Sequence, residues 1–348
     1  MESSSSALRV EPLKPVHLTW LQSNDQAALL PRLQGCLLRG WLAHAEALMG
    51  GLVLSRLPQA LVASENRTLR ALLLLRPHNR QGTCWRLELQ QLTPATRYSQ
   101  GQLAKELFQL ALLDANIRSR SWVVRCSSSD SGQLSVLREL GFQPIRTLRR
   151  WRVPTTSDSR GALSWPQGCE WVPLDRRTAP LLWPLDQAST TSLQRQIVDR
   201  HPIDLLDQAG AGSGVLLAPS RDSGQPDHRV ALAGLVRHQR CDDAQVLELL
   251  RAPAWDDRLT QCLQALLADL ATQCPQGIVV CNSEDAPLID HLNRLNWPCL
   301  EDELVLGRSL WRRQTSPRLL QATRPLESML GRLQPQQPPL PTPSLGRR

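Results

Sequence analysis

Arg146, Arg149, Arg150 and Arg152 stand within seven residues of one another, with Trp151 among them. Guanidinium groups beside an aromatic ring can grip a phosphate backbone while the ring stacks on a base. The same pattern suits a solvated edge strand whose charges keep other chains from pairing with it, and that is the reading we favour. Ser127-Ser128-Ser129-Asp130 gathers three hydroxyls, but Ser129 or Asp130 directly before an apolar periodic run serves better as a helix cap. The nine cysteines include no C-x-x-C pair, so closely spaced ligands for zinc are missing. They lie mostly on apolar stretches and read as buried reduced thiols. The seven histidines are equally dispersed, and no metal site is expected.

The elements that position these residues are those of a folded, multi-domain chain. With 348 residues, 41% hydrophobic and 21% charged, the composition excludes a disordered or fibrous protein, and the length predicts two domains. The formal net charge of +8 points at first to nucleic acid. Residues 312–348, however, hold seven arginines and one acid, and residues 1–311 hold 33 basic and 31 acidic side chains. The body is nearly neutral and the excess belongs to the tail. That tail is rich in proline from Pro335 to Pro343 and reads as an extended polyproline segment. It is either a solubilising extension or a docking arm for an acidic protein or nucleic-acid partner. The N-terminus lacks a basic start and an apolar core, and no apolar run approaches the roughly 20 residues of a membrane span. A cytoplasmic protein without membrane contact is expected.

Hydrophobic periodicity gives the elements. Residues 8–13 read as a strand, 18–49 as helical, and 59–64, 69–75 and 83–92 as strands. A helix over 102–116, a strand over 122–126, a helix over 132–140 and a strand over 143–153 follow. Pro154, Gly161, Pro166 and Gly168 mark a linker over 154–168. The order then restarts with a strand at 169–173, helical 179–206, strands at 214–218, 228–236 and 244–250, a helix at 255–272, a strand at 277–281, a helix at 286–295 and a closing strand within 299–310. This predicts an internal duplication, with units at 1–153 and 169–311. Leu87-Glu88-Leu89 recurs as Leu247-Glu248-Leu249, and Cys126 to Asp130 has its counterpart in Cys281 to Asp285. Leu137, Leu140, Gly141 and Phe142 match Leu292, Leu295, Asn296 and Trp297 at the same offset. Glycine and asparagine are the two residues that best tolerate a left-handed helix end.

This order resembles the GNAT superfamily of N-acetyltransferases, in tandem. Leu137-Arg138-Glu139-Leu140-Gly141-Phe142 is similar to the family's helix end before its final strand. Leu92-Thr93-Pro94-Ala95-Thr96-Arg97 is similar to its lead into the pyrophosphate loop. The resemblance implies a mixed α/β (α+β) fold of two acyl-CoA N-acyltransferase units, with acetyl-CoA as co-substrate and an amine as acceptor. It places the cofactor at Leu92, Thr93, Arg97, Gly101, Gln102 and Ala104, where amides at a helix start and the helix dipole hold phosphates. It departs from the family's glycine spacing, since Gln102 precedes Ala104 and Gly101 is one residue off.

The resemblance also implies Glu88 as the base that takes a proton from the amine. An ordinary solvent-facing strand position remains open for it. Leu137 and Leu292 stand where the family usually carries a tyrosine acid, and the chain's single tyrosine, Tyr98, is elsewhere. In the second unit, the stretch Arg251 to Arg258 has no glycine, and Asp256 and Asp257 favour a helix cap over a phosphate site. A catalytically inactive tandem binding or regulatory module is the alternative. If the basic tail docks nucleic acid, deleting 312–348 abolishes a salt-sensitive gel shift. An equal shift by the shortened chain would clear the tail of that role.

Overall fold

The computed structural model describes residues 8–21, 29–48, 57–92, 97–113, 119–154, 165–220, 229–239, 245–275 and 277–310. Thr93, most of the 154–168 stretch and the 312–348 tail lie outside them. In chain order the strands are β1 (Arg9–Pro12), β2 (Gln59–Glu65), β3 (Thr68–Pro77), β4 (Cys84–Gln91), β5 (Ser121–Ser127), β6 (Gln143–Arg152), β7 (Glu170–Pro173), β8 (Gly214–Pro219), β9 (Arg229–Gln239), β10 (Gln245–Arg251), β11 (Ile278–Asn282) and β12 (Glu303–Ser309). The helices are α1 (Pro15–Leu18), α2 (Leu30–Leu48), α3 (Gln100–Leu113), α4 (Ser131–Glu139), α5 (Ala179–Ser189), α6 (Ser192–Ile197), α7 (Pro202–Gln208), α8 (Asp257–Gln273) and α9 (Ala286–Arg294).

Local chemistry accounts for many of the boundaries. Asn66 and Arg67 both take positive φ, 51° and 60°, which closes the β2–β3 hairpin with the twist its strands require. Asp130 and Asp285 cap α4 and α9, each accepting an N–H three residues on. Gly141 at φ 81° and Asn296 at φ 54° end the same two helices in the left-handed region. The helical stretch expected over 179–206 is three helices. It breaks where Thr191 caps α6 and where Pro202 begins α7.

All twelve strands form one sheet, in the order β1-β2-β3-β4-β5-β12-β6-β11-β10-β9-β8-β7. The ends of the two repeats are exchanged: β12 lies between β5 and β6, and β6 lies between β12 and β11. The arginine-rich strand β6 is therefore central, which corrects the expectation of a charged edge. Two of its four arginines have internal partners, while Arg152 at its end stays exposed. Arg146 pairs with Glu248 and Arg149 with Asp302, while Leu148 and Trp151 are buried.

Side-chain alternation divides the core between the two faces of the sheet. One face is covered by α3 and α4 over the early strands and by α8 and α9 over the late ones. The other carries α2, α6, and the pair α5 and α7. The exchange mixes these cores: Trp151 and Val153 of the first repeat join the α8–α9 core, and Leu306 of β12 joins the α3–α4 core. Gly307 permits this arrangement, since a Cβ there would meet the Ile197 side chain of α6 at 2.9 Å. Trp151→Ala is expected to cost about 3–5 kcal/mol in a urea melt and to lower both repeats together in one transition. Two separable transitions would contradict a shared core.

Candidate functional site

The parallel ladder between β4 and β5 runs from Cys84↔Ser121 to Leu87↔Val124 and stops. Glu88–Gln91 and Arg125–Ser127 continue without pairing to each other, so the strand ends leave a wedge between them. The β10–β11 ladder stops in the same way, after Glu248↔Val280. The duplicated Leu-Glu-Leu motif thus puts one glutamate at the base of each wedge. Glu88 is only 14% exposed, and its Oε1 lies 2.9 Å from Nε of Arg86, on the same strand face.

Of the other expected site residues, Thr93 lies outside the described residues, and the rest lie at the end of β4 and the start of α3. Leu92 follows β4, and its N–H donates to the Arg70 carbonyl (2.9 Å). Arg97 is exposed. Ser99 and Gln102 form a capping box at the start of α3: the Gln102 N–H donates to Ser99 Oγ (3.2 Å), and the Ser99 N–H donates to Gln102 Oε1 (3.0 Å). An added Cβ at Gly101 would make only ordinary contact, 3.7 Å from Val136, so the packing itself does not require glycine there. Ala104 faces the core with Leu103. Tyr98 is spent locally, its phenol oxygen accepting the Leu8 N–H at 3.2 Å. Lys105 pairs with Glu139 of α4. Leu137 and Leu292 are fully buried and offer no proton.

The exchange brings a further carboxylate that sequence reasoning missed. Glu301, just before β12, accepts hydrogen bonds from Ser127 Oγ (2.7 Å) and Ser129 Oγ (2.6 Å) in the loop after β5. These two hydroxyls hold its carboxyl below the usual range, Ser129 first. Only the strand order could have revealed this contact, because 172 residues separate Ser129 from its partner.

An ion pair crosses the second wedge. Arg251, at the end of β10, donates to both carboxylate oxygens of Asp285 at 2.6–3.0 Å. It also donates to the carbonyls of Ala252 (2.6 Å) and Pro253 (2.9 Å) and stacks on Trp255 at 5.3 Å. Asp256 caps α8, accepting the Arg258 N–H. The remaining cavity, about 210 Å³, is lined by Arg146, Glu284 and Asp285 among others. In the first wedge the positions matching Arg251 and Asp285 are Gln91 and Asp130. No bond joins them among the described residues.

Glu248 lies at the centre of a buried charge cluster. It accepts from His238 Nε2 (2.7 Å), Arg146 (2.8 Å) and Arg125 (3.1 Å), and Arg125 also faces Glu303 at 3.7 Å. Burial raises its pKa, but Arg146, the His238 bond and Arg125 together outweigh that and hold the carboxyl well below its ordinary range. Burial pushes His238 down to about 4, so the ring is neutral near pH 7 and Nε2 carries the proton donated to Glu248. A carboxylate held this way is a structural anion and a poor base.

No family model and no curated protein matches this chain. Solved structures match its fold. A GCN5-related N-acetyltransferase from Sphaerobacter thermophilus is 13% identical over 87% of this chain and 95% of that one, with a TM-score of 0.49. A tandem GNAT protein from the clavulanic acid biosynthesis pathway is 11% identical over 88% of this chain and 100% of that one, with a TM-score of 0.49. A GNAT-family acetyltransferase from Colwellia psychrerythraea is 11% identical over 87% of this chain and 100% of that one, with a TM-score of 0.41. The chain is mixed α/β with one twelve-stranded mixed sheet, and it resembles a tandem GNAT fold. At these identities the likeness concerns the fold alone. Among the described residues no helix is long and apolar enough to cross a membrane.

Between pH 6.5 and 4 the unfolded chain takes up a proton that folded His238 refuses, so stability falls on acidification. His17, His78 and His291 are also lowered, each mainly by burial, and act in the same direction. Urea melts at pH 7 and pH 5 are expected to show a loss to which His238 alone contributes about 2 kcal/mol. His238→Gln should shrink the loss by about that amount. An unchanged pH dependence in the variant would show that His238 does not resist protonation.

Proposed function

We propose that the chain is an N-acyltransferase that moves an acyl group from acyl-CoA, acetyl-CoA in the simplest case, to an amine. The working site is the wedge between β4 and β5. The observation that carries this reading is the asymmetry of the two wedges: Arg251 and Asp285 bind across the second, while no bond joins Gln91 and Asp130 across the first among the described residues. In domain terms, 1–153 is the working unit and 169–311 a degenerate copy, joined by the 154–168 linker.

The residues of the first wedge suit the cofactor in part. The start of α3 offers amides and a positive dipole end to the phosphates, Gly101 lets them approach, and exposed Arg97 adds charge. Leu92 leads the chain out of β4 towards that loop. Gln102 and Ala104 belong to the same helix start, with the Gln102 side chain in the cap and that of Ala104 in the core.

Glu88 receives the proton of the attacking amine, directly or through a water. The new C–N bond forms as the C–S bond breaks, and the departing thiolate takes its proton from solvent, because buried Leu137 cannot supply one. Arg86 beside Glu88 fixes the carboxylate's position.

Calorimetry with acetyl-CoA tests the reading. One site per chain is expected, weakened roughly tenfold in Arg97→Ala. Glu88→Gln should keep the binding and lower turnover of an accepted amine by about 10²–10⁴. No heat at high micromolar acetyl-CoA, with folded protein, would sink the catalytic reading. Binding without turnover of any amine would favour a tandem sensor or regulatory module, the reading that buried Leu137 supports.

A further inference from the structure

A cavity of about 720 Å³ lies at the β3–β4 turn, between α2 and α7. Neither Arg86 nor Glu88 lines it, so it is separate from the wedge. Its apolar walls include Pro31, Leu57, Pro58 and Pro77. Gly35 of α2 also faces it, and an added Cβ at that position would meet no atom within 4 Å.

The carboxylates around this cavity are already engaged. Both oxygens of Asp207 are taken by the Arg80 guanidinium. Those of Asp204 accept the backbone N–H groups of Arg80 (2.8 Å) and His201 (2.7 Å). The two carboxylates of the lining are therefore committed. Arg32 and Arg76 line the same space. Arg76 faces the α2 side of β3, in register with Arg86, and makes no ion pair or side-chain hydrogen bond with any described residue. A half-buried guanidinium whose five donors lack a partner calls for an anion. Burial also pushes His78, in the same lining, well below its ordinary pKa, so it adds no competing charge at neutral pH.

We propose that this cavity binds an organic anion with an apolar body, its carboxylate or phosphate on Arg76 and its body against the proline-lined wall. A mixed apolar and polar cavity of this size matches the sites that take small ligands. Such a ligand is distinct from acyl-CoA in the wedge and acts on the chain from the opposite end of the β4–β5 ladder.

Titration of the full chain with octanoate, octyl phosphate and neutral octanamide is the test. Saturable binding is expected for one or both anions, at least about tenfold tighter than for octanamide. Arg76→Gln should weaken it by a similar factor without moving the melting temperature by more than a few degrees. Gly35→Leu, which fills the cavity from a helix position that gains propensity, should abolish binding while the fold is kept. The stronger anion identifies the headgroup. Equal binding of octanoate, octyl phosphate and octanamide, undiminished binding in both variants, or no binding of either anion would overturn the proposal. The outcome does not depend on whether acetyl-CoA binds.

Discussion

The carboxylate of Glu248 is the constraint on which the molecule's architecture rests. A buried anion is costly unless its partners are close and well aligned. Its three partners come from β5, β6 and β9, and Arg125 reaches on to Glu303 of β12. Satisfying one charge therefore fixes the order in which the two repeats cross. If β6 and β12 returned to their own repeats, both arginines would lose the carboxylate and Glu248 would keep only the His238 bond of its own repeat. Such a cluster adds little net stability over an apolar core, but it specifies which strand lies beside which.

That arrangement explains how two copies of one architecture come to differ in chemistry. Glu88 and Glu248 occupy the same place in the repeat. The second is held by two arginines and a neutral histidine and works as a structural anion. The first pairs with Arg86 on its own strand and borders a wedge that no Gln91–Asp130 bond crosses among the described residues. The exchanged segment also carries Glu301 onto the hydroxyls of the loop after β5, so the second repeat shapes the surroundings of the first. Each repeat is completed by a strand of the other, and the wedge is held by residues from both.

Much of this was legible in the sequence, because local forces set it. The repeat emerged from matched Leu-Glu-Leu motifs and helix ends, and Gly141 and Asn296 do occupy the left-handed region that their types suggested. Asp130 and Asp256 cap the helices where their positions indicated. Neighbourhood was not legible. Alternation tells which face a side chain takes, not which strand lies alongside. The arginines of β6 consequently read as an edge, although Arg146 finds its carboxylate 102 residues away. The same limit hid Glu301 and the Arg251–Asp285 tie, whose partners meet only when the sheet is assembled. Of the site residues taken from the resemblance, those described lie at one strand end and one helix start. Gln102 and Ala104 proved to be committed to the cap and the core.

Hydrogen–deuterium exchange on the full chain with and without acetyl-CoA tests most directly the claim that only the first wedge is a working site. The account predicts added protection in residues 88–92 and 97–104, and unchanged exchange in 249–258 and 282–285. Protection confined to the second wedge, or equal protection in both, would contradict it.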